Sequence, residues 1–598
     1  MKTVLKYLKP YTLRMALGFT IKVLGTFMDL GLPWVLAYII DDVIPYKKVS
    51  LILWWGLAMI LLSIGARSFN ITANRMAARV ARNTTERLRH DLFEKILNLS
   101  GTQLDHFTIP SLESRMTTDT YNIHNMIGLM QRLGVRAPII LIGGIIITST
   151  LEPVLTLVLV AVLPFLGVVV YLVSKKGIPL YLDLQRTVDK MVRVVRENIT
   201  GVRVIKALSK TASEKQRFSR INDEVVGKEQ TAGITMAVTN PIMNLLLNLG
   251  LTLVVVVGAF RVNSGASEPG KIVAFLSYFT IMLQAVMAIT RIFIVFSKAS
   301  ASASRITEVL ETEEDLKTVE DLKTEEDLKT VADLKTVEDI KTADKLKVKA
   351  AQDSNEKPEY HIAFEHVDFS YTNEPCILDI NFGIKKGGSL GIIGSTGAGK
   401  TTLINLLMRF YDVTEGRITI DGKDIKSMDK QDLRKRFGVV FQNDVLFADK
   451  VYENISIGRE LPIEQVSQSA EHAQAAAFIE ELDNHLDFKL AIKGSNLSGG
   501  QKQRLLVARA LAGRPEILIL DDSSSALDYK TDSLLRNAIR ENYKDTTTIV
   551  IAQRISSVMK LDHILVLEEG SMVGYGPHEE LLEQCEVYKE IYQSQMLA

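Results

Sequence analysis

Residues Gly394-Ser395-Thr396-Gly397-Ala398-Gly399-Lys400-Thr401 fit the phosphate-binding pattern G-x-x-x-x-G-K-[ST] at every fixed position. Glycines let backbone N–H groups approach phosphate oxygens, a lysine neutralises charge, and the closing hydroxyl suits Mg²⁺. Apolar runs on either side, Leu390 to Ile393 and Leu403 to Met408, predict a strand, a loop and a helix N-terminus in that order. Amides and helix dipole then converge on one anion, the phosphates of ATP or GTP. A further carboxylate belongs with them. The strand-like run ILILDD carries Asp521 at its C-terminal edge, where nucleotide-bound Mg²⁺ lies in a P-loop fold. By itself, Asp521 is equally well read as a polar cap on a strand end.

The elements that must position these groups follow from composition. At 598 residues the chain exceeds one hydrophobic core, and a formal net charge of +0 gives no electrostatic ground for nucleic acid as a partner. Apolar runs dominate residues 1–300, charge dominates 305–350, and 360–598 has the composition of a soluble domain. Two cysteines, Cys376 and Cys585, imply no disulfide framework. The opening residues lack the short apolar core and cleavage site of a signal peptide; MKTVLKYLKPYT instead suits a short helix on a membrane surface or a frayed terminus.

Six apolar stretches, near 13–40, 52–70, 130–150, 153–175, 235–262 and 272–297, are each long enough for a hydrocarbon layer of about 30 Å. The connections 71–125 and 176–232 are long and rich in Arg and Lys, which places them and both termini in the cytosol. Their helical patterning predicts that the membrane helices continue beyond the bilayer. Lys22, Asp29 and Arg291 are charges within spans; Arg291 fits snorkelling or an inter-helix pair as well as a translocation path, and no substrate role is assigned to it. From Glu311 to Lys347 a six-residue unit repeats (VEDLKT and variants). Each step turns a helix by about 240°, so Leu316, Leu322 and Leu328 form no single stripe and the segment is expected to be a solvated helix or a disordered acidic spacer.

Leu497-Ser498-Gly499-Gly500-Gln501 followed by KQRLLVARAL resembles the signature sequence of ABC transporter ATPases, and occurs with the P-loop and Asp521 in the family's order. Six spans followed by one such domain look like an ABC exporter half-transporter. The fold expected is an α-helical six-span transmembrane domain over 1–304, a linker over 305–358 and an α/β P-loop ATPase domain over 359–598. The resemblance implies that Tyr371 stacks on adenine, that Gly394 through Thr401 with Thr402 hold ATP, and that Thr401, Gln442 and Asp521 surround Mg²⁺. It implies that Ser498, Gly499, Gly500 and Gln501 meet the phosphate of a second subunit's ATP, that Ser525 to Asp528 cross to that site, and that Ile109 to Thr120 and Lys210 to Phe218 are coupling helices. Tyr371 is also readable as a core tyrosine.

Two positions depart from the family. Asp522 stands where the family has the glutamate that polarises the attacking water, one methylene too short. Gln553 stands where it has a histidine contacting the γ-phosphate; glutamine donates a hydrogen bond but never becomes cationic. With Lys400 they form the catalytic set on the P-loop side, and Ser498 and Gly500 form it on the signature side. The expected protein is one subunit of a heterodimeric exporter in a bacterial cytoplasmic membrane, moving a drug-like or lipid-like amphipathic molecule; an ATP-gated channel is the alternative from another class, and a peptide or lipid exporter remains open.

Overall fold

The computed structural model describes residues 1–313, 359–371 and 374–596. It divides into two compact units, Met1–Asn98 with Thr108–Thr312, and Leu99–Phe107 with Glu313–Ala598. The hexapeptide repeat lies, from Glu314 onward, outside the described residues.

The first unit is helical. Among the described residues five segments are long and apolar enough to cross a membrane: Lys2–Tyr46, Val49–Leu97, Ile109–Leu151, Thr211–Asn263 and Pro269–Leu310. The expectation of six is thus met for five. The stretch near 153–175 lies on the helix Pro153–Thr200, whose apolar part Pro153–Val169 is not counted among the five. The N-terminus forms the expected short helix, Lys2–Leu8, followed by a turn, Lys9–Tyr11, that contains Pro10. Helices continue well beyond bilayer length: Val49–Leu97 has 49 residues, about 70 Å at 1.5 Å each.

Close packing in this unit follows from small residues. Ala66, Ala73, Ala77 and Ala81 are buried at helical spacing on Val49–Leu97, which packs along Thr12–Tyr38. A Cβ at Gly25 would lie 3.1 Å from that of Phe69, a tight contact that the bare glycine avoids. Polar ties then fix the register of the helices. The Tyr278 hydroxyl donates to the Leu30 carbonyl at 2.6 Å, and Arg261 pairs with buried Glu152 at 2.8 Å. Asp41 accepts from the backbone N–H groups of Gly270 and Lys271 at 2.6 and 3.0 Å, capping the helix Pro269–Leu310 from a neighbouring segment. Fully buried Asp119 accepts from Ser302 at 2.8 Å and from two nitrogens of Arg305.

The second unit is built on a ten-stranded sheet. Its strands are β1 (Ile362–Ser370), β2 (Pro375–Ile384), β3 (Ser389–Gly394), β4 (Glu415–Ile420), β5 (Lys423–Asp424), β6 (Phe437–Val440), β7 (Ile517–Asp521), β8 (Thr547–Ile551), β9 (His563–Glu568) and β10 (Ser571–Gly576). Their order is β5-β4-β1-β2-β10-β9-β3-β8-β7-β6. The run β9-β3-β8-β7-β6 is parallel and buried on both faces, as the unbroken apolar runs of β3 and β7 require. β1, β2 and β4 pair antiparallel beside it.

A seven-residue helix from the first long polar connection, Gly101–Phe107, belongs to this unit. Its Gly101 N–H donates to the Phe410 carbonyl at 3.3 Å, and Tyr411 donates to Asp105 at 2.8 Å. A Cβ on Gly101 would lie 2.5 Å from the Tyr411 ring, so only glycine allows this seat. Gly101–Phe107 is thus grouped with the sheet unit, whereas Ile109–Ser114, the turn Arg115–Asp119 and the helix Thr211–Ala237, in which most of Lys210 to Phe218 falls, are grouped with the helical unit.

Asp119→Ala removes the acceptor of Ser302 and Arg305. Its expected cost is about 1.5–3 kcal/mol, read as a lower melting temperature of the detergent-solubilised chain, whereas Asp119→Asn, which keeps an acceptor, falls between it and the unsubstituted protein.

Candidate functional site

β3 delivers the chain into the glycine loop at the C-terminal edge of the parallel strands, where α/β sheets bind ligands. A Cβ on Gly394 would meet the Leu567 carbonyl oxygen at 2.2 Å, and Gly399, at φ +94°, would drive one to 2.5 Å from Ile377. Only glycine fits there. The helix Lys400–Leu407 starts directly after Gly399, so its free N–H groups face the loop. Buried Ala398 packs beneath, and its N–H donates to the Ser395 carbonyl at 3.2 Å. The Lys400 ammonium donates to the Gly394 and Ser395 carbonyls at 2.8 and 2.7 Å, across the mouth of the cradle.

A cavity of about 200 Å³ opens on this loop. Thr396, Gly397, Gly399, Lys400, Thr401 and Thr402 form its loop side. Gln442, Asp521, Asp522 and Gln553 come from three other segments to face them. The Thr401 hydroxyl donates to Asp521 at 3.1 Å, and the Gln442 side chain hydrogen-bonds Asp522. Burial pushes the Asp521 carboxyl above the usual range, the Thr401 hydrogen bond opposes this, and neighbouring Asp522 adds to it. Burial also raises Asp522, against the pull of Arg554, Gln442 and Lys400. Lys400 is lowered by burial and held up by the two aspartates. Thr401, Gln442 and Asp521 supply a hydroxyl, an amide and a carboxylate about one cavity. These are hard oxygen donors of the type Mg²⁺ takes, so the residues present fit it.

Asp522 sits in the left-handed region at φ +49°, its N–H donating to the Ile551 carbonyl at 3.0 Å. Strand pairing thus fixes the backbone that carries the short carboxylate. Tyr371 does not line the cavity. Its hydroxyl donates to buried Thr402 at 3.2 Å, while Phe369 and Tyr411 hold the ring edge-on with centroids at 4.8 and 5.1 Å. The residue is 43% exposed.

The structure does not bring Ser498, Gly499, Gly500 and Gln501 to this cavity. Ser498 caps the helix Gly499–Ala512 in a reciprocal arrangement: its hydroxyl accepts from the Gln501 N–H at 3.3 Å, and the Gln501 side chain accepts from the Ser498 N–H at 2.9 Å. Ser498 and Gly499 are exposed, so these glycines and the helix N-terminus are presented outward. A Cβ on Gly500 would come within 3.2 Å of the Ala526 carbonyl oxygen, which ties the loop Ser525 to Asp528 to the signature. Asp528 caps the next helix, accepting from the Thr531 N–H at 2.9 Å.

Three contributors escaped the sequence reading. Arg554 acts electrostatically on Asp522; it adjoins Gln553, and its charge was the available signal. Gln595 donates to the Gln553 carbonyl at 2.8 Å and accepts from the Ile555 N–H at 2.9 Å, linking that loop to the C-terminal helix. Cys376 lies 3.6 Å from the Thr402 hydroxyl. Nothing local in the sequence marks the last two.

Residues 15–286 match the family model of the ABC transporter transmembrane region, and residues 377–525 match that of the ABC transporter. An uncharacterised ABC transporter ATP-binding protein of Bacillus subtilis is 33% identical over 100% of this chain and 98% of its own length. A similarly described protein of Mycobacterium bovis is 31% identical over 99% and 98%. A fatty acid ABC transporter ATP-binding/permease protein of Mycobacterium bovis is 29% identical over 95% and 84%. In fold, the chain resembles a solved bacterial Atm1-family ABC exporter with ATP bound: TM-score 0.78 over 98% of each chain, at 22% identity.

Gly399→Ala places a methyl group in both a left-handed backbone and the Ile377 side chain. The expected result is at least tenfold weaker binding of a fluorescent ATP analogue with an unchanged circular dichroism spectrum; unchanged affinity would remove the cradle from nucleotide binding.

Proposed function

The chain belongs to the ABC transporters, and from that premise we propose that it is one half of an ATP-driven exporter whose own P-loop site holds ATP but hydrolyses it poorly, the competent site being completed by a different half-transporter. The observation that carries this reading is that Asp522 and Gln553 line the same cavity as Lys400 and Thr401. Both departures from the family therefore act on one bound phosphate.

Loop amides and Lys400 would hold the phosphates; Thr401, Gln442 and Asp521 would hold Mg²⁺, which when bound offsets phosphate charge. Asp522 would orient the attacking water. Its carboxylate is one methylene short on a backbone that strand pairing fixes, and a displacement of about 1 Å costs on the order of 10²-fold in rate. Gln553 would keep a hydrogen bond to the γ-phosphate without the positive charge of a protonated histidine. Binding thus remains while turnover falls. The signature keeps its serine and both glycines and is capped for presentation to another subunit's ATP.

Closure of two such domains would be passed to a bundle of six helices from each chain, with Pro153–Val169 beginning the sixth crossing and both termini in the cytosol. The cargo class that fits is amphipathic and lipid-like. The apolar walls of the helical unit support this, as does the mycobacterial relative named for fatty acids.

Inverted vesicles carrying this chain with its partner should accumulate a fluorescent amphiphile against its gradient when ATP is added, and vesicles with this chain alone should not. Replacing the partner's catalytic glutamate by glutamine should abolish steady-state ATP turnover, while Asp522→Asn changes it less than about twofold, because the site it removes contributes little. Mere equilibration of the amphiphile would point to a channel. Brisk ATP turnover by the chain alone would overturn the two-subunit reading.

A further inference from the structure

A cavity of about 430 Å³ lies within the helical unit, walled by Leu32, Ile140 and Ile281 among other apolar groups, with Ser277 and Gln284 on one side and Asp29 and Arg136 on another. Its size is within the range that takes a drug-sized ligand. Charges are costly in such surroundings unless paired.

The pairing here is incomplete. One oxygen of Asp29, Oδ2, accepts from Arg136 at 2.9 Å and from Asn70 at 3.1 Å. Arg136, however, keeps its Nε buried with no hydrogen-bond partner. Lys22, 3% exposed, donates to the neutral Asn74 side chain at 3.0 Å. The charged groups acting on Lys22 are Arg136, Arg132 and Asp29. Lys22 and Arg132 thus add positive charge beside the Arg136–Asp29 pair. A net positive field at a low-dielectric cavity stabilises an incoming anion and repels a cation.

We infer that this cavity is a binding site for a single-chain amphiphile with an acidic head, which Arg136 recognises by its guanidinium while the apolar wall takes the tail. This rests on the exporter reading for its physiological meaning, but not for its measurement. The carboxylate of such a ligand would take the donor capacity that Asp29 leaves on Arg136, and Ser277 and Gln284 offer further hydrogen bonds. An alkylammonium of equal length would meet Arg136 with like charge.

The test is equilibrium photolabelling of the full-length chain in detergent, without nucleotide, by a diazirine-bearing C12 carboxylate, with labelled peptides read by mass spectrometry. Label is expected on the segments around Leu32 and Ile281. Dodecanoate should compete at least tenfold better than dodecylammonium. Arg136→Gln should cut specific labelling at least tenfold, and Arg136→Lys should retain part of it. Because Arg136→Gln strands Asp29, the charge-neutral pair Asp29→Asn with Arg136→Gln is labelled as well, and should also lose the label. Equal competition by the ammonium, labelling unchanged in the folded double variant, or label spread evenly over all helices would overturn the site. Failure of ATP-driven accumulation with specific labelling intact would count against export alone; loss of labelling with accumulation of another cargo intact would count against the site alone.

Discussion

A polyphosphate is held tightly only where opposing charge and backbone donors are fixed before it arrives, and the junction of β3 with the helix Lys400–Leu407 imposes that condition on the soluble unit. Two glycines permit the close approaches to Leu567 and Ile377, the helix begins where the loop ends, and Lys400 is set across it by two carbonyls. β7 and β8, paired in the same sheet, bring Asp521 and Asp522 to the opposite wall. That precision has a corollary. A wall set by strand register cannot move to make up for a side chain that is one methylene short, so on the proposed reading an aspartate at position 522 would slow the chemistry while leaving the cradle intact.

The helical unit answers a different constraint. Polar groups within an apolar bundle must be satisfied by one another, and Asp119 with Arg305, Glu152 with Arg261, and Asp41 with a helix N-terminus do so. Where this pairing is left unbalanced, around Lys22, Arg132 and Arg136, a cavity lies alongside.

What was legible in the sequence was local. The P-loop, the buried run of β7 and the signature are each encoded within a few consecutive residues, so residue types and spacing, with the family resemblance for the signature, were enough to point to them. The seat of Gly101–Phe107 was not legible, because it depends on a glycine and a tyrosine at Tyr411 that are remote in the chain and meet only in the fold. Arg136 was passed over at the edge of an apolar stretch, since only tertiary packing sets it against Asp29. Asp522 and Gln553 were visible as departures from a pattern, but that they share one cavity required the sheet.

The most direct measurement is single-turnover cleavage of radiolabelled ATP by excess purified chain, comparing the unsubstituted protein with Asp522→Glu and with Asp522→Glu combined with Gln553→His. The account predicts that all three bind ATP with similar affinity and that the combined exchange speeds the first turnover by on the order of 10²-fold. An unsubstituted chain that cleaves its bound ATP as fast as the doubly exchanged one would contradict it.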